Sequence, residues 1–337
     1  MLLSTLNMSN RDELTLEQLM ETLSQEHTDQ TVIELLRNYC LQSTSYDIQK
    51  KGMEFLYING FYGELQQLID KNNESMHCSN REWAAIYQIF IDRRLNRYTP
   101  QELFHRINQF SSDEPELVCL IEFARVTVFY QMNEFSNIGN FLAVQPKLFE
   151  SIDDKLLISY FNIRLYQLLL TYYLTRNELI MARKYAYRIL NHTTNTRTKV
   201  NTHIKLGVSY TFDTYQQGMF HLNEALKLSK KHNLTANIHL IEQRNIPFLS
   251  AHFNRVEGIT STDESEQAHI EIAKGNNAKA LAILKKVSID SPFKEYYMGL
   301  AKQDKNLLLQ SYTNFIEKRS DYFFSRLPLN ALKNFKH

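Results

Sequence analysis

Between Leu179 and Phe212 the chain carries Arg183, Lys184, Arg188, Arg197, Lys199 and Lys205 but no Asp or Glu, although its formal net charge is only +1. Such a zone attracts carboxylates or phosphates. A solvated helix face whose acids lie on neighbouring elements would have the same composition. Arg197, Asn201, Ile204 and Val208 fall at i, i+4, i+7 and i+11, which is one stripe of a helix. A guanidinium at the end of a mixed polar and apolar stripe can fork onto a carboxylate, such as the C-terminus of a short peptide. His269 follows Glu266 by three residues on one helical face. That spacing allows an acid–base pair, and equally an ordinary packing contact.

Catalytic signatures are missing. The chain has no nucleophile elbow, no His-Glu-x-x-His, no phosphate-binding loop and no dinucleotide fingerprint. The eleven His are scattered, none with a second His or Cys at ligand spacing, so no metal and no cofactor is expected. Cys40, Cys78 and Cys119 suggest neither a disulfide framework nor a metal site, and fit a reducing cytoplasm. No signal peptide and no run of eighteen apolar residues occurs, so neither export nor a membrane span is expected. The composition therefore points to a binding protein rather than an enzyme.

The elements that must position these residues are helices. Hydrophobic residues make up 43 % of the chain, with only 9 Gly and 6 Pro; average usage of those two together is about 12 %. Thr15-x-x-Gln18 and Thr31-x-x-Glu34 read as capping boxes. Pro100, Pro115 and Pro292 stand near the starts of helical patterns. Helical periodicity runs on in segments such as 134–144, 153–175, 197–212 and 234–254, without sustained alternation. Leu206, Gly207, Tyr210, Tyr215, Gly218, Leu222 and Ala225 have the spacing of a tetratricopeptide-type hairpin with one residue missing from its turn. Tyr166, Leu169, Tyr173, Ala182 and Ile189 repeat it upstream, and Gly275 with Ala280 downstream. Such hairpins bury their apolar faces only by stacking. The expected fold is all-α, a tetratricopeptide-like helical-repeat solenoid in one continuous array.

Glu266-Gln267-Ala268-His269, Asn277-Ala278-Lys279-Ala280 and Asp321-Tyr322-Phe323-Phe324-Ser325-Arg326-Leu327-Pro328-Leu329 resemble the arbitrium peptide receptors, the AimR family of temperate Bacillus phages. Tyr39-Cys40-Leu41, Arg164, Asn177, Arg183, Tyr185, Leu190 and Gly207 extend the likeness over nearly the whole chain. The resemblance implies a cytoplasmic receptor for a secreted hexapeptide ending in Arg-Gly-Ala. Such a receptor regulates phage lysis versus lysogeny as a dimer that releases operator DNA. It assigns Arg197 to the peptide carboxylate, Glu266 to the peptide's arginine, and Asp321 with Phe323 to the amino end. Where the family has asparagines on the peptide backbone, this chain has Thr171, Thr175 and Val208, so a different or weaker peptide is expected.

Three segments are expected: 1–40, N-terminal helices left from a DNA-binding region; 41–303, a repeat superhelix with a peptide-binding concave face; and 304–337, capping helices. Against the family the chain begins inside the helix-turn-helix region and stops short of the terminal dimerising helix. Its first fifty residues hold eight acids against Arg11, Arg37 and Lys50, a poor surface for phosphates. The alternative expectation is an interaction module of the same fold without DNA binding.

Overall fold

A computed structural model describes residues 14–288 and 291–334. The opening of the expected DNA-binding remnant (1–13) and the end of the capping segment (335–337) lie outside the described residues. Contacts sort the chain into two compact units: one runs through Met132 and includes Asn137–Leu165, the other holds Asn133–Ser136 and everything from Tyr166. The first carries α1 (Leu16–Glu26), α2 (Asp29–Gln42), α3 (Tyr46–Asn59), α4 (Tyr62–Asn73), α5 (Cys78–Arg94), α6 (Pro100–Ile107), α7 (Pro115–Gln131) and most of α8 (Ser136–Glu150). The boundary falls inside α9 (Lys155–Thr175). The second unit continues with α10 (Leu179–His192), α11 (Thr196–Ser209), α12 (Tyr215–Lys231) and α13 (Thr235–Leu240). A π-helical turn (Ile241–Asn245) leads into α14 (Ile246–His252), α15 (Glu264–Ala273), α16 (Asn277–Leu284), α17 (Pro292–Lys302), α18 (Lys305–Arg319) and α19 (Arg326–Asn334). No strand occurs among the described residues, and the fold is an all-α helical repeat.

Local chemistry explains most of the boundaries. Thr15 and Gln18 close a reciprocal capping box on α1. The box expected at Thr31 and Glu34 does not form: α2 begins earlier, at Asp29, so Thr31 lies inside the helix and its hydroxyl meets that of Thr28. Pro100, Pro115 and Pro292 occupy first-turn positions, where the missing N–H is one of the unpaired donors anyway. α8 runs past its expected end, through Pro146, because Phe149 in the last turn packs on Phe123 and Phe161. The expected helix over 234–254 forms but widens into the π turn just before Pro247, a residue with no N–H to donate. Asn96, Asn133, Asn177, Asn233 and Asn254 take left-handed conformations just after helix ends, the place glycine usually fills. A glycine-poor chain makes its turns this way.

In the first unit, the Arg164 guanidinium forks onto Glu54 at 2.7 and 2.6 Å, with the Tyr87 hydroxyl on the same carboxylate and the Tyr57 and Phe90 rings over the cation. In the second unit, the repeat anchors Ala182, Ile189, Leu206, Leu222, Ala225 and Ala280 lie in the interior, whereas Tyr166, Leu169, Tyr173 and Tyr215 are half-buried and Gly275 is exposed. α11 and α12 approach so closely that a Cβ on Gly207 would stand 2.8 Å from Leu222 and 3.0 Å from the Gly218 carbonyl.

Gly207→Ala is expected to cost about 1–3 kcal/mol through overpacking. Gly63→Ala, on an open helix face with nothing within 4 Å, is expected to be neutral or to add up to about 1 kcal/mol. Urea melts of the two variants check the contrast. Equal stabilities would show that α11 and α12 are not held at this distance.

Candidate functional site

All the residues singled out from the sequence as binding residues lie in the second unit. Thr171 and Thr175 are buried on the last two turns of α9. Their hydroxyls turn back to their own helix: Thr171 donates to the Gln167 carbonyl at 3.1 Å, and Thr175 contacts those of Thr171 and Tyr172 at 3.1 and 3.0 Å. Thr171 also accepts from the Lys205 ammonium. These hydroxyls therefore offer little to a ligand.

The Thr175 carbonyl has another task. It accepts the backbone N–H groups of Tyr322 at 2.8 Å and Phe323 at 3.1 Å, tying the turn after α18 to the end of α9. Arg326 reinforces the tie through Asn177 at 3.0 Å and lies over the Phe212 ring at 4.2 Å. Ser320, left-handed at φ 53°, reverses the chain so that Asp321 and Phe323 face inward. Phe323 joins Leu170, Leu174, Ala182, Ala186, Ile189 and Leu206 in one apolar cluster, against which Val208 packs.

Asp321 is 5 % exposed. Burial raises its carboxyl pKa to about 6, against the pull of the Phe324 N–H at 2.9 Å and the charge of Arg319. No cation of the described residues stands within ion-pair distance of it.

Arg197 opens α11, where the Asn195 side chain caps its N–H at 3.0 Å. The same helix carries Val208 eleven residues on, about 16 Å along the axis. Asn201, on the same stripe, accepts from Asn237 at 3.0 Å. The acid-poor zone is partly neutralised: Arg183 pairs with Asp213, an acid just beyond the zone's end, and holds Ser209. Arg188 lies over Tyr166 and Tyr185.

Glu266 stands on α15, one turn before His269. Its Oε1 accepts from the Tyr297 hydroxyl at 3.2 Å, and its Oε2 is buried with no hydrogen bond. Rings connect it to the Asp321 turn: His269 to Phe248 at 5.6 Å, Phe248 to Phe324 at 5.8 Å, and Phe324 to Phe323 at 5.0 Å. The structure thus joins Thr171, Thr175, Val208, Asp321 and Phe323 around the end of α9, links Glu266 through aromatic rings, and leaves Arg197 at the far end of α11. Sequence reasoning missed Tyr297 and, although it counted Lys205 in the acid-poor zone, missed the bond from Lys205 to Thr171; neither stands in a spacing that connects it to its partner. Among the described residues no cluster of three metal-ligating side chains occurs, and no helix is long and apolar enough to cross a membrane.

Stacked helical hairpins that bury their apolar faces on one another define an all-α helical-repeat protein. The chain belongs to the AimR transcriptional regulator-like family, whose model matches residues 32–334. The phAimR–ligand structure superposes with a TM-score of 0.77 at 19 % identity, covering 96 % of this chain and 98 % of that one. The selenomethionine phAimR structure does so at 0.66 and 19 %, covering 95 % and 85 %. An uncharacterized protein of Bacillus anthracis, pXO2-35, is 25 % identical over 216 residues, 61 % of this chain and 80 % of its own length.

Because the folded pKa of Asp321 is raised above its ordinary 3.8, its contribution to stability is complete below about pH 4 and is lost as pH rises through about 6. At pH 7 Asp321→Asn is expected to be more stable than the parent by about 2–3 kcal/mol, the gap closing toward pH 4. Denaturant unfolding across that range measures it. A less stable variant at pH 7 would mean that fixed groups already compensate the charge.

Proposed function

We propose that this protein is an intracellular receptor for a short secreted peptide and that it regulates transcription in a phage lysis–lysogeny decision. The observation that carries the reading is the presence of two acids in one aromatic frame of the second unit: Asp321, 5 % exposed and in no ion pair among the described residues, and Glu266, whose Oε2 is buried without a hydrogen bond. Keeping a carboxylate buried and unpaired costs stability, so such acids are best explained by a ligand that supplies the positive charge.

The ligand's polarity is the one the family resemblance implies. Its amino end lies at Asp321 and the Phe323 wall, its arginine reaches Glu266, and its carboxylate meets Arg197. An extended hexapeptide spans about 20 Å, comparable to the length of α11 between Val208 and Arg197. Thr171 and Thr175, with hydroxyls committed to α9 and Lys205, and Val208, with no polar atom, make backbone recognition differ from that of receptors with asparagines there. The cognate peptide therefore differs from those of such receptors. On this reading 41–303 is the repeat body with the peptide-binding face, 304–337 the capping segment and 1–40 the remnant of a DNA-binding region.

A second reading, an interaction module that acts on a partner protein instead of operator DNA, is favoured by one surface. Glu21, Glu26, Asp29 and Glu34 are all exposed on α1 and α2, a face that repels phosphates. A salt-sensitive complex with operator DNA would remove that reading.

Calorimetric titration with hexapeptides ending in Arg-Gly-Ala tests the receptor. Saturable binding is expected, and Arg197→Ala and Glu266→Ala should each weaken it by about 2–5 kcal/mol. A panel in which no peptide saturates, or an Arg197→Ala variant that binds normally, refutes the proposal.

A further inference from the structure

One corner of the first unit gathers arginines for which the peptide reading has no use. From Arg93 to Arg106 the chain carries four arginines and a single acid, Glu102. That acid is committed to the cap of α6, where it accepts from the Thr99 N–H at 2.7 Å and the Thr99 hydroxyl at 2.8 Å. Asp92, just before the run, is sunk at 3 % exposed. It accepts from Arg97 at 3.1 Å and from Arg106 at 3.2 Å, and both of these side chains stay open to solvent. Four guanidiniums thus share one buried carboxylate.

The arginines are held in place without being neutralised. α5 ends at Arg94, and Asn96, left-handed at φ 52°, turns the chain so that the Arg97 N–H reaches the Asp92 carbonyl at 3.0 Å. The Arg94 guanidinium lies 3.7 Å over the Tyr62 ring at the start of α4, and Arg106 lies 4.4 Å over Tyr98. Beside Tyr62, the Phe61 ring carries Arg37 at 5.0 Å, with Glu64 3.7 Å from that arginine. Stacking uses the face of a guanidinium and leaves its in-plane N–H donors for an acceptor. Neither Arg93 nor Arg94 enters an ion pair among the described residues, and the Nε of each is buried without an acceptor.

We propose that this corner binds the phosphodiester backbone of double-stranded nucleic acid. A guanidinium forks onto two phosphate oxygens, and a duplex presents phosphates in a row to several cations at once. Such contacts position a duplex without reading its bases, so the affinity they give is independent of sequence. A lipid surface offers the same phosphates but is also held by apolar side chains that enter it. Here the Tyr98 ring is already covered by Arg106, which leaves Leu95 as the large exposed apolar side chain of the corner. The surface lies outside segment 1–40 and apart from the exposed acids of α1 and α2. This inference rests on the transcription-regulator reading for its partner and is independent of the peptide.

Fluorescence anisotropy of the full chain with two labelled duplexes of unrelated sequence, each about 25 base pairs long, tests it between about 50 and 200 mM salt. The parent is expected to bind both. Arg93→Gln/Arg94→Gln is expected to lose about tenfold on each, with a slope of log affinity against log salt shallower by about two. Lys184→Gln/Lys227→Gln, which removes two exposed charges of the second unit, is expected to keep the parent's affinity and slope. Vesicles of phosphatidylglycerol and phosphatidylcholine are expected not to bind. Duplex binding that keeps the parent's slope in Arg93→Gln/Arg94→Gln would overturn the inference and leave the regulator reading intact. An equal loss in the lysine variant would do the same. No binding to either duplex, or binding to the vesicles alone, also overturns it, while the peptide titration reports on the receptor separately. Thermal unfolding accompanies each variant. If the double arginine variant does not fold, Arg97→Gln decides: that side chain is 52 % exposed, and its loss is expected to change the slope by about one.

Discussion

One carbonyl holds the second unit together at its most consequential point. Thr175, the last residue of α9, accepts two backbone N–H groups from Tyr322 and Phe323. Those residues are far apart in sequence, and nothing local would bring them together. The paired bonds fix where Phe323 enters the apolar cluster and where Asp321 is buried. A helix C-terminus has unsatisfied carbonyls to offer, and here one of them positions a buried acid instead of being left to water. The left-handed Ser320 and the Arg326–Asn177 bond act in the same direction.

The second constraint is contact distance. Gly207 and Gly218 face each other, and a Cβ on either would stand close to the other's carbonyl oxygen, at 3.0 Å from Gly207 and 3.2 Å from Gly218. Leu222 and Leu249 fill the remaining space. α11 is therefore fixed against α12, and with it the direction of the stripe from Arg197 to Val208. Residues that look like spacers in the sequence determine where the polar ones point.

The hairpin from Leu206 to Ala225 was legible because its anchors repeat with a period that only stacked helices satisfy. The turns were legible less well, because asparagine does what glycine usually does, and an asparagine is not by itself a stop signal. The π turn before Pro247 left no mark in the periodicity. The acid-poor zone was visible, but the capture of Arg183 by Asp213 was not, since it depends on how α10 meets the loop after α11. Glu266 and His269 could be paired by spacing alone. Tyr297, on α17, could not, because only packing brings its hydroxyl to Glu266.

The buried acids and the tie at Thr175 also bear on how a ligand could change the protein. A ligand shifts a population only by binding one arrangement better than another. Asp321 belongs to the turn that is bonded to α9, so a cation that stabilises its charged form acts on the same turn that joins the two ends of this unit. Glu266 accepts from Tyr297 of a second cluster, which also holds Ala268 and meets the first through Phe212 and Phe324. A ligand held at both acids would load both clusters at once. In a close-packed interior such a load is not absorbed by small adjustments but favours one packing over another. On the proposed reading, this is why the charges sit in the core of the repeats: at an exposed surface the same pairs would be screened and too weak to select between arrangements.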